Sequence, residues 1–194
     1  MEITETGIPN LLIITPKVFE DSRGYFFESY NSEIFEKFGL SQEWIQDNQS
    51  KSSYGVIRGL HYQLAPFSQS KLVRVISGRI LDVALDIRSG SPTFGKHFTI
   101  ELSDENKKQL LIPKGFAHGF SVLSDTAIVL YKCDALYKHE EERGILFNDP
   151  SLGIDWQISD NKAIVSAKDK VHPAFENADL NFVYPLSVQI LREI

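Results

Sequence analysis

The chain has 194 residues, a formal net charge of -6, and 42% hydrophobic and 24% charged residues. This length predicts one domain, residues 1–194, with a sizeable core. The negative charge disfavours nonspecific nucleic-acid binding, and no apolar run approaches the roughly 20 residues of a membrane span. Cys133 is the sole cysteine, which excludes an intramolecular disulfide. Together with a start that lacks the signal-peptide pattern, this predicts a cytoplasmic protein.

The N-terminal part combines short strands with one short helix. Residues 11–15 are predicted to form a strand, and residues 19–28 a turn that leads into an aromatic strand. Residues 32–38 show a helical pattern, with Ser32 as the N-cap and Gly39 as the stop signal.

The central part, from Gly55 to about Leu136, alternates short apolar segments with turns rich in Gly, Pro, Ser and Asp. Strands are predicted at 72–75, 80–87, 97–102, 109–112, 119–123 and 127–131. This spacing indicates a sandwich or barrel. Beyond it, the sequence predicts a charged loop at 137–149, a short helix at 159–163 and a surface-like tail from Val171.

Polar side chains of different chemistry occur inside or beside these strand-like segments. Arg58, His61 and Lys71 lie in the first two, and His118 and Tyr131 in two later ones. A strand that buries one face has little use for such groups unless the fold encloses a polar cavity. The pattern therefore predicts an enzyme built on a β-barrel with a polar interior.

A set of ordered motifs carries a resemblance to a known family. The segment 113–118 matches the P-x-G-x-x-H half of the cupin signature. The other motifs are Arg58-Gly59-Leu60-His61-Tyr62-Gln63, Gly78-Arg79-Ile80-Leu81-Asp82-Val83-Ala84-Leu85-Asp86-Ile87-Arg88, Tyr131-Lys132 with Tyr137, and Ser166-Ala167-Lys168-Asp169. The whole set resembles the dTDP-4-dehydrorhamnose 3,5-epimerase family between about Thr15 and Phe175.

The resemblance implies a mainly β fold, a cupin-type jelly-roll β-barrel with a few short helices. It implies cofactor-free epimerisation of dTDP-4-keto-6-deoxyglucose at C3 and C5 to dTDP-4-keto-L-rhamnose. It also implies a homodimer whose subunits exchange strands across the interface.

The resemblance further implies roles for individual residues. His61 corresponds to the base, Asp169 to its partner carboxylate, Tyr131 to the acid and Lys71 to the group beside the keto oxygen. Tyr137 corresponds to the aromatic residue that stacks on thymine. The remaining positions that match nucleotide-sugar contacts are Arg23, Glu28, Gln46, Asn48, Arg58, His118, Glu142 and Lys168.

These residue types suit the implied chemistry. Deprotonation beside a ketone forms an enolate, and histidine can take the proton because its ordinary pKa of about 6.5 lies near working pH. A carboxylate such as Asp169 fixes the histidine tautomer. The charge of Lys71 would stabilise the enolate oxygen. Inversion requires a proton from the opposite face, which His61 cannot deliver and Tyr131 can.

Three alternatives remain open at the sequence level. A related enzyme could epimerise only C3 or only C5, or act on a differently modified dTDP sugar. A metal-dependent cupin needs a His-x-His pair with a nearby glutamate, whereas this chain has His61-Tyr62-Gln63, so neither a metal nor a cofactor is expected. A non-catalytic sugar-nucleotide binder would not need His61, Asp169 and Tyr131 together.

Other polar residues receive structural interpretations. The sequence predicts that Lys132 is structural or faces solvent and that Cys133 is a small buried apolar residue. Asp82 and Asp86 share one strand face, and no role is assigned to them. The remaining histidines are interpreted as surface or structural residues: His97, His139 and His172.

Overall fold

The computed structural model describes residues 1–185 of the chain. These residues form two facing β-sheets, a small separate hairpin and one short α-helix. The strands are β1 (Glu2–Glu5), β2 (Leu12–Thr15), β3 (Phe19–Asp21), β4 (Gly24–Phe26), β5 (Gln46–Ser53), β6 (Val56–Gln63), β7 (Lys71–Ser77), β8 (Arg79–Asp86), β9 (His97–Ser103), β10 (Gln109–Ile112), β11 (Phe116–Val122), β12 (Thr126–Cys133), β13 (Glu142–Gly144) and β14 (Ile164–Val165). The helix α1 spans Ser32–Lys37, and 3-10 turns occur at His139–Glu141, Asp160–Lys162, Asp169–Val171 and Phe175–Asn177.

The first sheet has the strand order β1-β2-β10-β7-β12-β5. The second has the order β13-β6-β11-β8-β9, with β14 pairing in parallel beside β6. All the other pairings in both sheets are antiparallel. Neighbours in each sheet are often distant in sequence, as in a jelly roll. The predicted mainly β, cupin-type fold is confirmed.

Within residues 1–185, three apolar clusters hold these layers together. The main core lies between the sheets and includes Val73 and Val129 from the first and Ala84 and Phe120 from the second. The outer face of the second sheet is covered by the C-terminal part of the chain, and the outer face of the first by α1 through Phe35. Strand β8 is buried on both faces, which explains why its sequence is an almost continuous apolar run.

Several local predictions need correction. Strand β5 was not predicted because its sequence, QDNQSKSS, has no apolar alternation; it forms by pairing with β12 along its whole length. The N-cap of α1 is Asn31 rather than Ser32, because the Asn31 side chain accepts from the Ile34 amide at 3.3 Å. Residues 159–163 contain only a 3-10 turn, and the predicted loop 137–149 contains β13.

The tail from Val171 is less exposed than predicted. Phe182 is buried and packs against the second sheet, with its ring 6.2 Å from that of Tyr62. The part of this tail at residues 186–194 lies outside the described residues. Within residues 1–185, no helix has the length and apolar character that a membrane crossing requires.

Candidate active site

A polar cavity of about 210 Å³ opens at one end of the two facing sheets. Its side chains come from β5, β6, β7, β12 and β13 and from the loops beside them. The lining residues are Gln46, Asn48, His61, Tyr62, Gln63, Gln69, Lys71, Tyr131, Tyr137 and Glu142. Many of the residues that the sequence selected therefore meet in one place, as the predicted polar interior requires.

One wall of the cavity comes from the first sheet. Tyr131 of β12 pairs with Asn48 of β5, and Cys133 pairs with both Gln46 and Lys71. Because side chains two residues apart share a face, these residues all point to the same side of the sheet. The alternate residue Lys132 points away and forms an ion pair with Asp47 at 3.0 Å, as predicted for a solvent-facing lysine.

The lysine and the tyrosine of this wall lie close together. The Lys71 Nζ atom is 5.9 Å from the centre of the Tyr131 ring. Burial lowers the pKa of the Lys71 ammonium, and the carboxylates of Asp82 and Glu142 oppose this effect. Burial raises the pKa of the Tyr131 hydroxyl, while the charge of Arg58 acts in the opposite direction. Tyr131 therefore keeps its proton at neutral pH and can donate it.

The opposite wall carries a histidine–carboxylate pair. His61 Nε2 lies 2.7 Å from Asp169 Oδ1, and their side chains are 29% and 5% exposed. Burial alone would raise the pKa of Asp169, but the hydrogen bonds from His61, the Gly59 amide and Ser166 together lower it. The carboxylate is therefore ionised at neutral pH and holds one nitrogen of His61.

Gly59 explains how Asp169 reaches this strand. Its φ of +123° favours glycine, and a Cβ there would lie 2.6 Å from the Gly119 Cα of β11. The Gly59 amide donates to Asp169 Oδ2 at 3.3 Å, while His61 holds the other oxygen. The glycine thus lets β6 approach β11 closely and still offer an amide to the carboxylate.

A second histidine–carboxylate pair lies deeper. His118 pairs with His61 across β6 and β11, and its Nε2 lies 2.8 Å from Asp82 Oδ1. Both members of this second pair are buried, and neither lines the cavity. Burial lowers the pKa of His118, with Asp82 opposing this effect. The predicted substrate contact at His118 would therefore require the ligand to reach deeper than the cavity residues.

The rim of the cavity is charged and aromatic. Glu142 accepts a hydrogen bond from the Tyr137 hydroxyl at 2.7 Å and forms an ion pair with Lys168. The Tyr137 amide donates to Gln46 Oε1 at 2.9 Å. The hydrogen bond to Glu142 raises the pKa of Tyr137 to about 12. The half-exposed ring of Tyr137 is available to a ligand at the mouth.

The predicted arginines lie outside this lining. Arg58 is exposed, and its Nε donates to Ser52 Oγ at 3.1 Å. Arg23 is on the β3–β4 hairpin, paired with Asp21 and 88% exposed. Glu28 follows the hairpin and accepts from the Asn31 side chain. The fold therefore does not bring Arg23 and Glu28 to the cavity of their own chain.

Sequence reasoning missed four residues. Tyr62, Gln63 and Gln69 line the cavity, and only the proximity of the first two to His61 in the sequence could have indicated this. His172, interpreted as a surface or structural residue, packs its ring 5.7 Å from that of His61. Its position three residues after Asp169 was the available signal.

The side chains of His61, Asp169 and His172 are close enough to be considered as metal ligands, since their donor atoms lie within 4.8 Å of one another. Ligands of a tetrahedral zinc ion are about 3.4 Å apart, given bond lengths near 2.1 Å. The 2.7 Å contact between His61 and Asp169 is shorter. An ion would have to separate this pair, so the geometry fits a hydrogen-bonded dyad better than a metal centre.

Comparison with known proteins places this cavity in context. The sequence profile of the dTDP-4-dehydrorhamnose 3,5-epimerase family matches residues 5–177. A dTDP-4-dehydrorhamnose 3,5-epimerase from Shigella flexneri is 52% identical over 180 residues, which is 92% of this chain and 98% of the relative.

Solved structures show the same similarity. A dTDP-6-deoxy-D-glucose-3,5-epimerase from Legionella pneumophila, in complex with dTDP-4-keto-L-rhamnose, is 45% identical, with a TM-score of 0.91 and coverage of 95% of this chain and 98% of the other. A mutant 3'-monoepimerase from Streptomyces bikiniensis, in complex with dTDP, is 28% identical, with a TM-score of 0.83 and coverage of 89% and 86%. With the family profile matched over most of its length, this chain belongs to the dTDP-4-dehydrorhamnose 3,5-epimerase family.

Proposed function

We propose that this protein epimerises dTDP-4-dehydro-6-deoxy-D-glucose at C3 and C5, giving dTDP-4-dehydro-L-rhamnose without a cofactor. The observation that carries the proposal is the placement of a base and an acid on opposite walls of one cavity. His61 and Asp169 lie on the second sheet's side, and Tyr131 and Lys71 on the first sheet's side. Membership of the epimerase family supports the substrate class.

The base step falls to His61. Asp169 accepts a hydrogen bond from His61 Nε2 at 2.7 Å, which keeps the ring proton on that nitrogen. The other ring nitrogen, Nδ1, is then free to accept a proton from the substrate. When His61 takes a proton from the carbon beside the keto group, the ionised Asp169 stabilises the resulting imidazolium.

The negative charge that develops on the keto oxygen requires stabilisation in the same cavity. Lys71 is the cation in its lining, and its burial reduces the water that would otherwise screen its charge. Nearby carboxylates favour the charged form of Lys71. We assign Lys71 to the enolate oxygen.

Reprotonation must come from the other face of the sugar ring. Tyr131 is on the opposite wall from His61 and retains its proton because burial raises its pKa. A proton taken by His61 and one given by Tyr131 leave the ring carbon inverted. One pair of residues can serve C3 and C5 in turn, because both carbons flank the keto group and proton exchange with solvent restores neutral His61 and Tyr131 after each inversion.

The rim is assigned to the nucleotide. Tyr137 offers an exposed ring for stacking on thymine, and Lys168 offers a cation toward the diphosphate. Arg58 stands exposed near the same mouth, with its charge felt by Tyr131. The polar groups of Gln46, Asn48 and Glu142 are proposed to complete the contacts with the substrate.

We also propose that the working form is a cytoplasmic homodimer of one-domain subunits. The β3–β4 hairpin exposes three aromatic rings, Phe19, Tyr25 and Phe26, at 53%, 56% and 66% of their surface. Such a patch is typical of an interaction surface. An exchanged hairpin would carry Arg23 and Glu28 to the partner subunit's cavity, which accounts for their distance from their own.

A second candidate is epimerisation at C3 alone. A structural relative that is 28% identical is described as a 3'-monoepimerase, so the same fold accommodates both outcomes. Either activity could use the dyad and the lysine of this chain, and the two would differ in whether the C5 hydrogen is also presented to the base.

The test is NMR of dTDP-4-dehydro-6-deoxy-D-glucose in D2O with the full-length protein. We expect deuterium at C3 and C5 and an inverted product. Deuterium and inversion at C3 alone would establish the second candidate, and no exchange at either carbon would refute both. His61→Ala should reduce exchange about 10²–10⁴-fold, as for loss of a general base. The matched control His97→Ala, on the edge strand β9, should exchange at the wild-type rate.

A further inference from the structure

His172 lies beside the dyad for a local structural reason. It directly follows the 3-10 turn Asp169–Val171, three residues after Asp169. Side chains at this spacing lie on the same side of a 3-10 turn. The turn therefore directs both the carboxylate of Asp169 and the ring of His172 toward His61.

Strand β13, which lies beside β6, leaves room for the ring of His172. Gly144 of β13 pairs with His61 of β6, and a Cβ at Gly144 would overlap the His172 ring. The ring instead packs edge-on against His61, with an angle of 77° between their planes. Its side chain is only 12% exposed. His172 thus occupies a fitted site beside the dyad.

The polar edge of His172 has one group within reach. Its Nε2 is buried and has no hydrogen bond within the described residues, and it lies 3.6 Å from Asp169 Oδ1. That oxygen is the one that contacts His61 Nε2 at 2.7 Å. A buried nitrogen without a partner is costly, and a small movement would complete a hydrogen bond to Asp169.

The surroundings favour a neutral ring. The charged and titratable groups around it are His61, Asp169, Lys168 and Glu142. Burial and the charges of His61 and Lys168 lower the pKa of His172, and the two carboxylates oppose this effect. A neutral ring can donate to Asp169 only when its proton is on Nε2.

We propose that His172 is a positioning residue of the proton-transfer site: a neutral second donor to Asp169 Oδ1 that shares the carboxylate with His61. This proposal rests on the proposed epimerase function. The second donor weakens the hold of the carboxylate on the imidazolium proton of His61 and fixes the orientation of the pair.

The first test does not depend on activity. Long-range ¹H–¹⁵N NMR of protein with labelled histidine distinguishes the two neutral tautomers, and loss of a signal in His172→Phe assigns it. At pH 7 we expect His172 to be neutral with the proton on Nε2. A proton on Nδ1, or a charged ring, would overturn the proposal whether or not the protein is an epimerase.

The second test compares two substitutions in the deuterium-exchange assay. His172→Phe keeps a ring over Gly144 but removes the donor, whereas His172→Gln supplies an amide N–H at a similar reach. The Phe variant should lose about tenfold in kcat, the value of one modest hydrogen bond. The acid limb of its pH–rate profile should move to higher pH, since Asp169 then holds the proton of His61 more strongly. The Gln variant should resemble wild type.

Two results of this comparison would overturn the proposal. One is a His172→Phe profile identical to wild type; the other is equal losses in the Phe and Gln variants, which would mean that His172 only fills space. Equal binding of dTDP by the three proteins controls for folding. A wild-type protein without exchange would refute the proposed function instead, and the tautomer measurement would still decide the role of His172.

Discussion

At the scale of the residue, two of the histidine–carboxylate pairs within residues 1–185 have nearly equal geometry and different surroundings. The His61–Asp169 and His118–Asp82 contacts measure 2.7 and 2.8 Å. The His61 side chain is 29% exposed and lines the cavity, whereas that of His118 is 6% exposed. Burial lowers the pKa of His118, so its ring resists protonation. Environment, rather than residue type, separates a base that can act from a neutral partner of Asp82.

Also at this scale, Tyr131→Phe should separate exchange from inversion. The substitution keeps the packing of the ring and deletes the hydroxyl proton assigned to the opposite face. The enolate should still form, and deuterium can return through His61 to the face that it left. NMR in D2O should therefore show exchange with little inverted product. Inversion at the wild-type rate would mean that another group, or water, donates the proton.

At the scale of the element, the end of β8 is fixed by a buried ionic cluster. Asp86 accepts from Arg88, Ser91 and Thr93 at 2.6 to 2.8 Å. The Arg88 guanidinium lies 4.4 Å from the Phe116 ring centre and 5.0 Å from that of Tyr184. This cluster ties β8 to the loop after it and to the C-terminal segment that covers the second sheet. Asp86, for which the sequence indicated no role, is thus structural.

Asp86→Asn should destabilise the fold by about 3 kcal/mol, because removing one member of a buried ion pair leaves the other uncompensated. Urea unfolding at pH 7 measures this loss. Asp47→Asn is the control, since its carboxylate is 57% exposed and ion pairs that reach solvent contribute about 0–1 kcal/mol. A loss no larger than that of the control would contradict the structural role of Asp86.

A comparison of wild type with Asp86→Asn also tests how stability depends on pH. Burial alone would raise the pKa of Asp86, but hydrogen bonds from Arg88, Ser91 and Thr93 lower it below its ordinary value. A carboxyl group whose pKa is lower in the folded than in the unfolded protein stabilises the fold. This stabilisation is fully present above the pKa of the unfolded state, about 3.9, and is lost as pH falls through the pKa of the folded state. Wild type should therefore lose stability below about pH 4 more steeply than Asp86→Asn. Parallel acid profiles would contradict this assignment.

At the scale of the whole molecule, the site depends on surfaces that approach from different directions. The two sheets supply the opposite walls of the cavity. Strand β13 supplies part of the rim, and the turn around Asp169 supplies the carboxylate. The β3–β4 hairpin projects its aromatic rings outward. An isologous dimer would place each hairpin on the other subunit and complete two equal sites. In such a dimer the exposed Arg23 would act in trans.

Complementation tests this arrangement. We expect His61→Ala and Arg23→Ala to be impaired alone, the second mainly in KM. Co-expression yields mixed dimers in which one cavity has both an intact His61 and an intact Arg23 from the partner chain. At substrate concentrations below KM, activity should return to about one quarter of wild type, since half of randomly paired dimers are mixed and each has one good site. No recovery in isolated mixed dimers would place Arg23 in its own chain's site.

The amino-acid sequence by itself determined the strand-rich centre, the family and the selection of side chains for the site. Apolar alternation and turn residues marked β7 to β12, because these strands bury at least one face. The unusual polar residues in that pattern, such as His61 and Tyr131, indicated a polar interior before any contact was known. These features are local, so the sequence carries them directly.

Only the tertiary structure decided which of these groups meet. Strand β5 has no apolar pattern and exists because β12 supplies its partner. Asp169 reaches His61 across 108 residues of sequence, and His172 joins them because Gly144 leaves the space. The same packing separates His118 from the cavity and Arg23 from its own site. Such outcomes depend on pairing between distant segments, and no local propensity in one segment specifies its distant partner.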